Sequence, residues 1–329
     1  MQFGSGGKPP LGILFDCSMG ERIDEVLALC LLYGFDGKNE CRVSSISVTK
    51  ANLKAAALAD AIGRFYAGEV SAAFAAFSRT LPVGLATDGY LAADTPMLAV
   101  TAKHKHSVNK LVDTAEPSVV LRNALTAQQD GNCAMVSTGS ANNLARLLDL
   151  HASRQWIESK PKVLVLAIAD PGSARSTRKV LAEWPGPVVV IGPEVGEAVP
   201  FPAASIEKDF AWSPAHPAAD AYRAAKAMPY DAPTTALAAV LYAVKPEGYF
   251  TVSESGTASI DDSGQLRFAP GAGKHKRLSV DPANAEKIRK VYTEMASAKP
   301  VQRQRRTRPP QQQQQTPPPK VETPKPPAP

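Results

Sequence analysis

The sequence has no apolar run long enough to cross a bilayer as a helix. Its longest runs, such as residues 163–168, are strand-sized. Four cysteines, Cys17, Cys30, Cys41 and Cys133, are too few and too scattered for a disulfide framework, and no two have the C-x-x-C spacing of a zinc ribbon. Residues 1–10 lack the apolar segment of a secretory signal, so a cytoplasmic location is the expectation. No G-x-G-x-x-G follows an apolar run, which argues against a dinucleotide-binding oxidoreductase. Gly4-Ser5-Gly6-Gly7-Lys8 precedes the first strand and lacks the spacing of a phosphate loop.

Basic charge is scarce in the body of the chain. The net charge is +6, but residues 301–329 hold six basic side chains and one acidic, leaving residues 1–300 at only +1. A nearly neutral body offers no groove for phosphates, so no nucleic-acid partner is expected. From Pro300 onward there are ten prolines and five consecutive glutamines. Such a stretch cannot bury enough surface to offset its ordering entropy, and it reads as a disordered, partly polyproline tail. The expected role is an inert solubilising extension, the alternatives being a ligand for a proline-recognition partner or a basic surface anchor.

What is present is 44% hydrophobic over 329 residues, enough for one large domain. Short apolar runs at 11–15, 43–48, 133–136, 163–168 and 188–191 read as buried strands. Helical spacing lies between them, at 23–32, 53–66, 141–150 and 173–183. This alternation predicts an α/β fold with a mostly parallel central sheet flanked by helices. Helices are also expected at 217–228 and 234–244, with a closing helix at 281–295 capped by Asp281. Residues 249–252 and 265–268 read as short strands, a small β extension at the sheet edge. The organisation is an extension at 1–10, the α/β domain at 11–298 and the tail at 299–329.

Ligands of an open parallel sheet sit at the carboxyl ends of its strands. After the first strand comes Asp16-Cys17-Ser18-Met19-Gly20-Glu21-Arg22-Ile23-Asp24-Glu25. Capping a helix explains one or two of its four acids. Four together suggest an oxygen-ligated cation such as calcium or magnesium. After residues 133–136 comes Ser137-Thr138-Gly139-Ser140-Ala141-Asn142-Asn143, a turn whose glycine lets backbone approach a ligand. Asp231 precedes the 234–244 helix and reads as a candidate cap for it. His104 and His106 have no carboxylate at obvious spacing and read as solvated loop residues.

These segments resemble a known family. D-C-S-M-G-E-R-I-D-E-V-L-A-L at 16–29 is similar to the N-terminal signature of the inosine–uridine-preferring nucleoside hydrolases. V-S-T-G-S-A-N-N-L-A-R-L-L at 136–148 looks like that family's T-G-x-x-T-N-L-A turn. Y-D-A-P-T-T-A-L-A-A-V-L-Y-A-V at 230–244 resembles its late helix start, and the stretch from Glu183-Trp184-Pro185 to Phe210 its A-E-W-P segment. The four occur in colinear order over residues 10–297.

The resemblance implies cleavage of the N-glycosidic bond of ribonucleosides or a related glycoside, with a small nucleoside or sugar as partner. It implies a calcium ion holding the water and the ribose hydroxyls. Carried over by position, the metal ligands would be Asp16, Ser18, Asp24, Glu25, Asp231 and the Thr138 carbonyl. Asp16 and Asp24 are the candidate bases and Tyr230 the candidate acid, standing where the family has histidine. Asn52 and Asn142 are the substrate-binding candidates. Three departures stand out: Ser18 replaces the presumed aspartate base, Glu25 replaces an aspartate, and the family's Glu-Phe-Asn stretch after the fifth strand is missing before Asp170-Pro171. The alternative is a catalytically impaired member of the fold that acts as a ligand-binding or interaction module. If Arg22 fills the acidic pocket, that alternative gains. The oligomeric state is left open, a homo-oligomer included.

Overall fold

Six of the seven residues of the first strand, β1 (Leu11–Cys17), are buried. Such a strand needs neighbours on both edges and helices on both faces. The computed structural model supplies both. It describes residues 9–67, 81–87, 93–168 and 174–301. After β1 come α1 (Ile23–Gly37), β2 (Cys41–Val48), α2 (Leu53–Ala67), β3 (Val83–Leu85), α3 (Pro117–Thr126), β4 (Cys133–Ser137) and α4 (Asn142–Asp149). Next are α5 (Ser153–Ser159), β5 (Pro161–Ala167), α6 (Ala174–Glu183), β6 (Val188–Ile191), α7 (Pro193–Ala198), α8 (Ala203–Lys208), α9 (Pro217–Ala225) and α10 (Thr235–Val244). The chain ends in β7 (Thr251–Val252), β8 (Gly256–Ile260), β9 (Leu266–Pro270), β10 (His275–Ser279) and α11 (Ala285–Ala296).

The sheet runs β3-β2-β1-β4-β5-β6-β10-β8-β9, with β7 beside β10. Strands β1 to β6 pair in parallel, and β10 joins β6 in parallel. The remaining pairs, β7–β10, β8–β10 and β8–β9, are antiparallel. The expected mostly parallel α/β architecture is therefore the architecture found. The strand order reverses at β1: β2 and β3 lie on one side, β4 to β6 on the other. Helices leave this point toward opposite faces, and the carboxyl ends of the strands at such a reversal are where open α/β sheets bind their ligands.

Alternation along β1 feeds two cores. Ile13 and Phe15 pack on the face covered by α1, α2, α9, α10 and α11. Leu14 points to the other face, with Leu121, Leu144 and Trp184. The closing helix fits tightly: a Cβ on Gly34 of α1 would lie 2.1 Å from the Met295 carbonyl oxygen of α11.

Some elements differ from expectation for local reasons. The closing segment starts with a 3-10 turn, Pro282–Asn284, before α11, although Asp281 does cap it through Ala283 N at 3.0 Å. Strand β10 escapes sequence reading because only His275 and Leu278 of H-K-R-L-S are buried. His104 is not a solvated loop residue: its Nε2 lies 2.9 Å from Asp220, and only 8% of its side chain is exposed. Their 116-residue separation hid the pair. Among the described residues no helix is long and apolar enough to cross a membrane.

Candidate functional site

Asp16 sits where the strand order reverses. Its neighbours in register are Ser47 on β2 and Ser137 on β4. Both hydroxyls donate to its carboxylate, Ser47 at 2.6 Å and Ser137 at 3.2 Å, and Asn143 Nδ2 donates at 2.8 Å. The main chain locks the same corner, since Thr138 N donates to the Asp16 carbonyl at 2.8 Å. With three neutral donors and 1% exposure, Asp16 has no charge partner among the described residues. Burial therefore pushes its pKa up to about 7; the hydrogen bonds from Ser47, Asn143 and Ser137 oppose this and the Glu25 charge adds to it.

The chain then turns through Ser18, Met19 and Gly20 into α1. Met19 and Gly20 both have positive φ, 45° and 95°. A left-handed methionine is costly, and a hydrogen bond from Met19 N to Glu25 Oε2 at 2.9 Å holds it there. Glu25 is the hub of this turn. It also accepts from Ser18 N and Oγ and from Thr138 Oγ1 at 2.9 Å. Burial raises its pKa, while Arg22 and the hydrogen bonds from Ser18 and Thr138 oppose the shift.

Asp24, one residue back, accepts from Ala236 N at 2.9 Å and so ties α1 to the start of α10. Its other contact is Arg22, whose Nε is 3.2 Å from Oδ1 and Nη2 3.4 Å from Oδ2. Glu21 is drawn away to an ion pair with Lys50.

The structure brings Asp16, Ser18, Glu25 and Thr138 into one network, with Asp24 attached through Arg22. Thr138 contributes its side chain to it. The other candidates are engaged elsewhere. Asp231 is exposed and accepts from Ala203 N at 2.8 Å. The Tyr230 hydroxyl donates to the Tyr222 carbonyl at 2.7 Å, its ring stacks on Tyr222, and burial raises its pKa to about 12. Asn52 caps α2 through Lys54 N and Ala55 N and donates to Asp94. Asn142 accepts from Ser176 Oγ at 2.5 Å, joining α4 to α6. The stretch after β5 at 169–173, where the sequence departs from the family, lies outside the described residues.

A calcium ion does not fit these residues. The oxygens of Asp16 and Glu25 are held by protein donors, and a guanidinium stands against Asp24 and Glu25. Among the described residues no group of three or more His, Cys, Asp or Glu could hold a metal ion.

Other polar atoms at this corner are uncommitted. Thr49 Oγ1, Ser140 Oγ and Asn143 Oδ1 are buried and find no hydrogen-bond partner among the described residues. Gly139 packs against one of them: a Cβ there would lie 2.6 Å from Thr49 Oγ1, and also 2.6 Å from Ser18 N. Thr49 is the residue sequence reasoning passed over, because a threonine just past a strand carries no signal of its own. A separate cavity of about 420 Å³ lies at the opposite end of β2, beside Tyr33, Asp36, Arg42 and Tyr66. Its charges pair one another, Asp36 with Arg42 and Asp60 with Arg64.

No family model matches the sequence, and no curated protein matches it. Solved structures do match. An inosine-uridine preferring nucleoside hydrolase from Bacillus anthracis superposes with a TM-score of 0.62 over 87% of this chain and 99% of that one, at 14% identity. The fold is that of the nucleoside hydrolases. A purine-preferring ribonucleoside hydrolase from Gardnerella vaginalis gives 0.63 over 87% of this chain and 99% of its own, again at 14% identity. The same nucleoside hydrolase fold occurs in the type III effector protein XopQ, solved with adenosine diphosphate ribose: TM-score 0.64, 13% identity, 88% of this chain and 94% of that chain. The fold thus houses hydrolases and an effector alike.

Proposed function

We propose that this chain uses the nucleoside hydrolase fold to bind a small ribosyl-bearing molecule, a nucleoside or a relative of one, at the carboxyl ends of β1, β2 and β4, without calcium-dependent hydrolysis. The observation that carries the reading is the division of labour among polar atoms. The acids are bonded internally, while neutral hydroxyl and amide atoms, Thr49 Oγ1, Ser140 Oγ and Asn143 Oδ1, are buried without partners among the described residues. Buried polar atoms normally find partners. An acceptor and two hydroxyls at the carboxyl ends of the strands suit a ligand that is itself rich in hydroxyls, as a ribose is. Neighbours of this fold are nucleoside hydrolases or an effector complexed with adenosine diphosphate ribose, which supports the ligand class.

A second reading rests on Asp16. Its carboxyl titrates near neutrality, where a group can both take and give a proton. That supports slow, metal-independent hydrolysis of an N-glycosidic bond, with Asp16 as the base.

Calorimetric titration with inosine, uridine, ribose and adenosine diphosphate ribose tests the main reading. Binding of at least one ribosyl ligand, weakened about tenfold by Thr49→Val or Ser140→Ala through loss of one hydrogen bond, is expected. No heat from any of them would remove it.

A further inference from the structure

The acidic pocket carries a cation of its own. Arg22 is the last residue before α1 and has extended backbone (φ −123°, ψ 128°). Its side chain folds back over the first turn of the helix. Two nitrogens face the two oxygens of Asp24, Nε at 3.2 Å from Oδ1 and Nη2 at 3.4 Å from Oδ2. Nη2 also lies 3.8 Å from Glu25 Oε1. The Asp24 and Glu25 side chains are 3% and 0% exposed, against 26% for Arg22.

These are not surface ion pairs, which contribute little. Two adjacent carboxylates have been taken out of water, and buried charge without a countercharge is strongly unfavourable. Neutral donors meet their remaining lone pairs: Ala236 N on Asp24, and Ser18, Met19 and Thr138 on Glu25. The amino end of α1 adds a partial positive charge. Among the described residues that bond Asp24 and Glu25, Arg22 alone carries a formal positive charge.

We infer that Arg22 is the resident cation of this pocket, standing where a divalent metal would serve the same carboxylates, and that the native protein carries no metal there. The inference rests on the calcium-free reading above and deepens it. A guanidinium differs from an ion in one respect that matters: it is tethered. It cannot be removed by a chelator, and its concentration beside Asp24 and Glu25 does not depend on the medium. A divalent ion approaching Glu25 Oε1 must displace it against charge repulsion. Replacing Arg22 by a neutral side chain of similar length leaves the two carboxylates uncompensated. They should then recruit a cation from solution, and stability should become dependent on its concentration by mass action.

The test compares wild type, Arg22→Met and Arg22→Lys by thermal unfolding in EDTA and in millimolar calcium, with calcium calorimetry alongside. Wild type should unfold at the same temperature in both media and show no calcium heat. Arg22→Met should lose stability in EDTA and recover part of it in calcium, with one bound ion. Arg22→Lys keeps a positive charge and should stay insensitive to calcium. If Arg22→Met does not fold, the double variant Arg22→Met with Asp24→Asn, which removes one charge of each sign, should fold and ignore calcium. Calcium-dependent unfolding of the wild type would overturn the inference. So would an Arg22→Met protein that matches wild type in both media. The readout is cation binding, so failure to find a nucleoside ligand would leave this result standing, and the reverse also holds.

Discussion

Ser18 donates its hydroxyl to both oxygens of Glu25, at 3.1 and 3.0 Å. The two residues that the resemblance sets against aspartates of the nucleoside hydrolases, Ser18 and Glu25, therefore make one bonded pair. The longer side chain of Glu25 reaches back across the turn, and the serine supplies the proton that the carboxylate accepts. An aspartate at Ser18 would set a second carboxylate against Glu25.

Ser18→Asp should therefore lower stability rather than build a working base. The expected loss is roughly 1–3 kcal/mol, from a broken buried hydrogen bond and like-charge repulsion. Urea unfolding measures it. Unchanged stability, or hydrolysis gained on adding calcium, would show that Glu25 swings clear and that the acids can regroup.

Asp16 makes a prediction about pH. Its folded pKa of about 7 lies above the ordinary 3.8, so between these values the native state holds a proton that the unfolded state has lost. Stability linked to Asp16 is thus greatest below about pH 4, falls as pH rises toward 7, and levels off above it. Asp16→Asn should flatten that slope, by roughly 2–4 kcal/mol between pH 4 and 8 relative to wild type. Parallel unfolding curves of the two proteins across this range would contradict the burial argument.

Gly139→Ala probes the close packing of the turn after β4. The added carbon would meet Ser18 N at 2.6 Å and the Cys17 carbonyl carbon at 2.8 Å, both main-chain atoms that cannot rotate away. A loss of about 1–3 kcal/mol is expected from such overpacking, read as a lower melting temperature. A melting temperature equal to wild type would mean the β1 and β4 ends are looser than described.

The central sheet was legible because its strands are buried on both faces and their apolar runs stand out, as at Val188–Ile191. Strand β10 was not, because a strand near the edge can hold its place with few buried apolar residues. At the site, the segments around Asp16 and Thr138 were found from their position after strands. The direction each carboxylate takes was not, because it depends on donors far away in sequence: Ala236 for Asp24, Thr138 for Glu25, Ala203 for Asp231. The resemblance set Asp231 with the acids; in the fold it accepts from the Ala203 amide of α8.

Release of free base from a nucleoside panel, measured side by side in EDTA and in millimolar calcium, tests the central claim most directly. The account predicts the same result in both media: nucleosides recovered intact, or hydrolysed at one slow rate that calcium does not change. Base accumulating in calcium and stopping in EDTA would contradict it.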